Sequence, residues 1–233
     1  MQFHGCYCSK NSRNIMETIL WKLRTGATWR DIPEKFCLWE IAYNRFNRWA
    51  SKGLWDKFFL KLRGVLDQEW VFIDESYIRT HQHASGARHG FERAIGQSRG
   101  GRTTKIHLAT DANGLPIDFK ITRGEVHDSQ VAEQLIGEIG YADYLIADKG
   151  YDSEKIRTLA RKQNIVPIIP MKSNSKRENK EFDPYLYRLR HLVENAFARL
   201  KHFRAIATRF DKLARNYKSI VYIACMLIWC KAK

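Results

Sequence analysis

Cysteine is scarce in this chain and badly placed for a metal. Cys6, Cys8, Cys37, Cys225 and Cys230 are odd in number, and Cys6-x-Cys8 has no second cysteine or histidine pair at zinc-site spacing. That argues against a disulfide framework and a cysteine-held zinc, and leaves the reduced, mostly buried thiols of a cytoplasmic protein. A membrane-length apolar run is also missing. The most apolar stretch, Ile220 to Cys230, is too short to cross a bilayer and reads as a buried terminal helix. Residues 1–8 show no apolar core behind a basic start, so no signal peptide is expected. No internal repeat is evident, which sets aside solenoids and propellers. The last shortage is acid: 25 Asp and Glu stand against 40 Lys and Arg, a net charge of +15.

What is present is a folded body. Hydrophobic residues make up 44% and aromatics 12% of the 233 residues, enough for one sizeable core or for a medium domain with a smaller one. The excess positive charge therefore sits on a folded surface rather than a disordered tail. A polyanion such as nucleic acid is the partner such a surface suits, because each neutralised phosphate releases counterions. A generally basic soluble protein is the plainer alternative.

The chain changes grammar near residue 66. Residues 13–65 read as helical, with Ile15, Ile19, Leu20 and Leu23 at helical spacing, a break at Gly26 and a short element from Thr28 to Pro33. Leu38 to Ala50 reads as a further helix with Ile41, Phe46 and Trp49 inward. Tyr43, Arg45 and Arg48 lie on its other side. That face suits DNA contact in a helix-turn-helix-like domain spanning 1–66, or a solvated bundle surface. Trp21, Trp29, Trp39 and Trp49 are expected in its core. Residues 67–233 read as α/β. Trp70 to Asp74, Thr104 to Thr110 and Leu115 to Thr122 are strands, the last two joined by the turn signal Asn113-Gly114. Val131 to Ile139 is a helix, Tyr144 to Asp148 a strand, and a helix to about Lys162 follows, capped by Asp152 or Ser153. Ile165 to Ile169 is a fifth strand, and helices complete the chain from about Pro184. Three strands followed by alternating helices and strands match a ribonuclease H-like mixed sheet with flanking helices.

Asp74 and Asp148 are each expected to close a short buried strand, which puts a carboxylate at the rim of the sheet, where open α/β sheets bind ligands. If the strands are neighbours, the two like charges repel unless a cation lies between them. Oxygen donors without thiols suit Mg²⁺ or Mn²⁺. A turn role for either Asp is the ordinary alternative. Tyr187, Arg190, Glu194 and Lys201 fall within about a 60° arc of one helix and run along about 21 Å of it. Leu189, Val193, Ala196, Leu200 and Phe203 form a separate apolar stripe. A surface helix with a Glu194–Arg190 ion pair reads equally well.

The spacing Tyr187-x2-Arg190-x3-Glu194-x6-Lys201 resembles the signature helix of insertion-sequence DDE transposases in the insertion sequence four and five superfamily. Other stretches are similar to its insertion-sequence-five branch, among them Leu23 to Pro33, Tyr43 to Phe46, Ser98 to His107, Thr110 to Gly114, Ala147 to Asp152 and Ala207 to Lys212. Together they cover nearly the whole chain. The resemblance implies that Asp74, Asp148 and Glu194 form a catalytic triad holding two Mg²⁺ or Mn²⁺ ions. It implies DNA contact by Tyr187, Arg190 and Lys201. Arg99, Arg102 and Lys105 are expected on a phosphate-binding surface nearby. The implied partners are transposon ends and target DNA, with a homodimer or larger assembly on paired ends and no membrane association. The implied place is the bacterial cytoplasm, at the nucleoid. The chain departs from the family pattern at Glu75, which stands where Ser or Thr usually follows the first Asp, and its N-terminal stretch is short. A catalytically inactive, regulatory DNA-binding derivative and a ribonuclease H-like nuclease acting on RNA or hybrids are the competing functions. Asp111 is expected to be a turn residue, Asp152 and Asp128 helix caps, and His81, His83 and His89 surface groups.

Overall fold

The computed structural model describes residues 11–85, 93–175 and 178–232. His89, Cys6 and Cys8 lie outside the described residues. The chain opens with helices α1 (Ser12–Thr25), α2 (Trp39–Ser51) and α3 (Leu54–Leu62). α1 stops at Gly26, whose φ of 71° lets its N–H return to the Lys22 carbonyl. A side chain there would also press on Arg204, its Cβ only 3.0 Å from that residue's Cβ.

α2 is rotated from its expected phase. Ala42, Phe46, Trp49 and Ala50 are its buried residues, while Ile41 is 45% exposed. Small Ala42 permits close helix approach, and Ile41, about 100° around the helix, turns to solvent. The tryptophan expectation also needs correction. Trp49 and Trp55 are buried and meet edge to face at 5.2 Å, whereas Trp21, Trp29 and Trp39 stay partly exposed.

The sheet is built from β1 (Trp70–Thr80), β2 (Gly96–Ser98), β3 (Gly101–Thr110), β4 (Pro116–Arg123), β5 (Tyr144–Ala147), β6 (Val166–Ile168) and β7 (Thr208–Arg209). β3 pairs antiparallel with β1, and its other edge carries β4 and the short β2. β5 runs parallel to β1, and β6 parallel to β5. α4 (Asp128–Ile139) and α5 (Glu154–Lys162) supply the crossovers. Three antiparallel strands continued by two parallel ones, with β1 central, is the ribonuclease H-like order. Asn113-Gly114 makes the hairpin turn, with Gly114 at φ 68°, and Asp111 Oδ1 accepts from the N–H of Asn113 and of Leu115. Its turn role is as the sequence suggests.

Two apolar layers cover the sheet. On one face Val71, Ile73 and Ala147 pack with the inner sides of α4 and α5. On the other, Phe72 and Ile146 pack with α7 (His191–Lys201), the short α8 (Arg204–Ala207) and α9 (Ala214–Ala232). This second layer includes α1, α2 and α3, with the Phe59 ring tilted against Tyr222 at 5.6 Å. The change of grammar near residue 66 is thus a boundary along the chain, across which the core is continuous. α9 is largely buried, as expected of the Ile220 to Cys230 stretch, and among the described residues no helix is long and apolar enough to cross a membrane.

Candidate active site

β1 does not end at Asp74; it continues to Thr80. The rim is made by its neighbour. The β1–β5 ladder runs out at the pair Ile73–Ala147, so Asp74 and Asp148 are the next residues on two strands whose axes lie about 5 Å apart. Side chains alternate along a strand, so Asp74 shares its face with Phe72, toward α7. Asp74 Oδ1 accepts the Glu75 N–H at 2.9 Å. Asp148 Oδ1 accepts the Gly150 N–H at 2.7 Å, closing the tight turn Lys149–Tyr151. A Cβ at position 150 would sit 2.8 Å from that oxygen, so a larger residue there would push the Asp148 carboxylate aside.

The third acid comes from the far end of the chain. Asp183 accepts from the N–H groups of Tyr185 and Leu186 and so starts α6 (Pro184–Arg188). The expected single helix is interrupted here. Leu189, Arg190, Leu192 and Val193 each donate to the carbonyl three residues back, a tighter winding that separates α6 from α7. Tyr187 and Arg190 therefore leave the straight stripe, while Glu194 and Lys201 remain on one face of α7 about 10 Å apart. Val193, Ala196, Phe197 and Leu200 anchor α7 in the core.

Arg190 turns inward from the start of α7. It donates to Asp74 Oδ2 at 2.7 Å and pairs with Glu194. The Glu194–Arg190 ion pair raised by sequence spacing is present, and the same guanidinium ties α7 to β1. Burial lifts the Asp74 carboxyl above its ordinary range; Arg190 opposes this, and Asp148 and Glu194 reinforce it. Burial, with repulsion from Asp128, Asp74 and Asp148, lifts Glu75 to about 7. Repelling carboxylates call for a cation, and here an arginine supplies it. The donors are all oxygen, which fits Mg²⁺ or Mn²⁺. As the side chains stand, no three acidic, histidine or cysteine groups among the described residues converge to hold one ion. A metal here needs Arg190 to yield Asp74.

The remaining expected residues scatter. Lys201, Arg48, Arg99 and Arg102 are exposed. Arg45 lies over the Trp49 ring at 5.6 Å, Tyr43 packs on Trp29 at 5.5 Å, and Tyr187 packs on Phe182 at 5.3 Å. Lys105 is a correction: it is buried, and its ammonium goes to Asp128 at 2.7 Å and the Val126 carbonyl at 2.9 Å, out of reach of a phosphate. Asp128 is the first residue of α4 rather than its cap, a place taken by His127. Ser153, the other candidate, takes the cap position of α5, and Asp152 forms a buried pair with Arg157 at 3.1 Å and accepts the Lys172 N–H at 3.0 Å. His81 stacks on Phe210 at 4.4 Å, with His83 against it. Sequence reasoning gave Tyr151 no role of its own, although it lies in the Ala147 to Asp152 stretch that shares in the resemblance; its hydroxyl donates to Glu75 Oε2 at 3.1 Å.

Comparison with known proteins agrees with these features. Residues 66–229 match the family described as "Transposase DDE domain", and residues 2–59 match one described as "Putative transposase of IS4/5 family". A Brucella ovis protein, "Putative transposase for insertion sequence element IS6501", is 34% identical over 130 residues, covering 55% of this chain and 99% of that one. A Burkholderia cepacia protein, "Putative transposase for insertion sequence element IS402", is 33% identical over 136 residues, 54% of this chain and 62% of that one. Among solved structures, the "Mos1 transposase paired-end complex with left transposon end" is 10% identical with a TM-score of 0.31, covering 86% of this chain and 82% of that one. The "Crystal structure of a pre-cleavage Mos1 transpososome" is 12% identical with a TM-score of 0.32, covering 96% and 80%. The fold stands on the strand order and not on these loose structural likenesses. With well over half its length matched, the chain belongs to the transposase DDE domain family, on the insertion sequence four and five side of it.

Proposed function

We propose that this DDE transposase binds the terminal inverted repeats of an insertion sequence, cuts the DNA there and joins it to a target. Asp74, Asp148 and Glu194 would be its catalytic carboxylates. The observation that carries the reading is the strand register that sets Asp74 beside Asp148, together with the Arg190 bridge that draws Glu194 to Asp74. The two divalent ions such carboxylates would hold, Mg²⁺ or Mn²⁺, supply Lewis acidity and an activated oxygen nucleophile when bound. The protein's part is to fix the acids on a rigid sheet and a packed helix. Arg190, released from Asp74, and Lys201 would hold the scissile strand by its phosphates, which positions DNA without reading sequence. Tyr187 would stack on a base near the cut. Tyr43, Arg45 and Arg48 on α2, and Arg99 and Arg102 at the β2–β3 turn, would extend the contact. Residues 1–66 would serve as the end-recognising part and 67–233 as the catalytic part, acting as a dimer or larger assembly on paired ends.

Asp148→Asn is the test. The variant should bind terminal-repeat DNA as the parent does and lose Mg²⁺-dependent cleavage and strand transfer. Retained cleavage removes Asp148 from the triad. One observation favours a second reading, a DNA-binding protein that does not cut: Arg190 sits where a cation would. Parent protein that binds ends yet never cleaves in Mg²⁺ or Mn²⁺ decides for it.

A further inference from the structure

We propose that Tyr151, through its hydrogen bond to Glu75, is a positioning residue that sets the spacing of Asp74 and Asp148. The proposal rests on the triad reading above. The backbone ladder between β1 and β5 ends one residue before both acids, at Ile73 and Ala147. Beyond that rung the sheet no longer fixes the distance between the two strands. The Tyr151–Glu75 bond, 3.1 Å long and joining positions 76 residues apart, is the cross-link past the end of the ladder.

Both ends of this link are rigidly tied to an acid. Glu75 follows Asp74 directly on an extended strand, so its side chain emerges on the opposite face. Its carboxylate thus stands outside the cluster around Arg190 and serves as an anchor. Tyr151 closes the turn that begins at Asp148: its N–H donates to the Asp148 carbonyl at 3.1 Å, while Asp148 Oδ1 holds Gly150. The Tyr151 ring is 1% exposed, packed in the layer that holds Ile73, Ala147 and Ile156, so it cannot swing to follow a moving partner. Lys105, a buried cation on that face, is committed to Asp128 and the Val126 carbonyl. Among the described residues Tyr151 is the side chain that donates to Glu75. The glutamate that departs from the family pattern therefore has a partner three residues from the second acid.

The test uses the full chain and Mn²⁺ alone as probe. Affinity is read by calorimetry or electron paramagnetic resonance without DNA, and amide hydrogen exchange of residues 148–152 is followed without metal. Tyr151→Phe keeps the ring and removes the bond. It should weaken Mn²⁺ binding by about 10–100-fold, the usual range for a partner that orients metal ligands. It should also speed exchange in the 148–152 turn while exchange in α4 and α9 stays unchanged. Glu75→Ala should repeat both effects. Glu75→Gln keeps an oxygen to accept from Tyr151 and should recover most of the loss. Parent-like affinity and exchange in Tyr151→Phe overturn the proposal. So does a Glu75→Gln variant as impaired as Glu75→Ala, because charge and not the bond would then matter. If the parent binds Mn²⁺ no better than Asp74→Asn does, the triad reading itself fails, and this proposal with it.

Discussion

The guanidinium of Arg190 donates to Asp74 Oδ2 at 2.7 Å across 116 positions of sequence, and its other arm holds Glu194. One cation thus neutralises an acid from β1 and an acid from α7. Arg190→Ala leaves these carboxylates, and Asp148 beside them, without a counter-charge. We expect the metal-free variant to lose roughly 1–3 kcal/mol in urea unfolding, the cost of a half-buried charge left without its partner. Millimolar Mg²⁺ or Mn²⁺ should restore more stability to the variant than to the parent. Equal, small responses to the metal in both proteins would count against a cation site at these acids.

The Arg157–Asp152 pair makes a second, purely structural prediction. Both side chains are 2% exposed, and Arg157 also donates to the Ile169 carbonyl at 2.8 Å and to Asn179. These bonds tie α5 to the segment leading toward the Glu194 helix. Arg157→Met should cost about 3–5 kcal/mol, because it strands a buried carboxylate. Adding Asp152→Asn should recover part of that loss in the same urea titration. A single variant within 1 kcal/mol of the parent refutes this account.

His107 should govern part of the acid stability. Burial holds its imidazole down to about 4, and its Nε2 meets Thr122 Oγ1 at 2.9 Å. Asp128 opposes the shift and Lys105 adds to it. The unfolded chain protonates this group near 6.5. Between those values the unfolded state binds more protons, so stability present above pH 6.5 is lost as pH falls toward 4. The loss is on the order of 3 kcal/mol. His107→Gln should flatten that part of the stability curve, measured by thermal or urea unfolding from pH 7 to 4. Identical parent and variant slopes would rule the imidazole out as the source.

The DNA-contact assignment separates Arg48 from Lys105. Arg48 is exposed on α2, whereas Lys105 is buried against Asp128. Arg48→Ala should reduce the slope of log binding constant against log salt by about one, the mark of a lost phosphate contact. Lys105→Met should leave the slope alone and lower the unfolding midpoint. The reverse pattern in a salt titration with terminal-repeat DNA would invalidate the placement of both.

Local pattern made much of this molecule legible. Alternation along Leu115 to Ile121, the Asn113-Gly114 turn and the inward stripe of Val131, Leu135, Ile136 and Ile139 all reflect short-range preferences that tertiary contacts reinforce. The spacing of Tyr187, Arg190, Glu194 and Lys201, with the other matching stretches, carried the family resemblance. What failed to read out was partnership. Ile41 turned outward because Ala42 allows closer packing, and Asp152 looked like a cap until Arg157 arrived beside it. Lys105 looked like a surface cation, although its neighbours Val126 and Asp128 stand more than 20 residues away in the chain.

The sequence by itself determined most strands and helices, the excess of basic residues and the three acids proposed as catalytic, because these depend on side-chain period and residue chemistry within short windows. Only the tertiary structure decided that the ladder stops at Ile73 and Ala147, that Arg190 fills the acid cluster and that Tyr151 meets Glu75. Those facts depend on which distant segments the packed core brings side by side; a partner four residues along a helix can be read from spacing, as for Arg190 and Glu194, but one from a distant segment has no signature until the two faces meet.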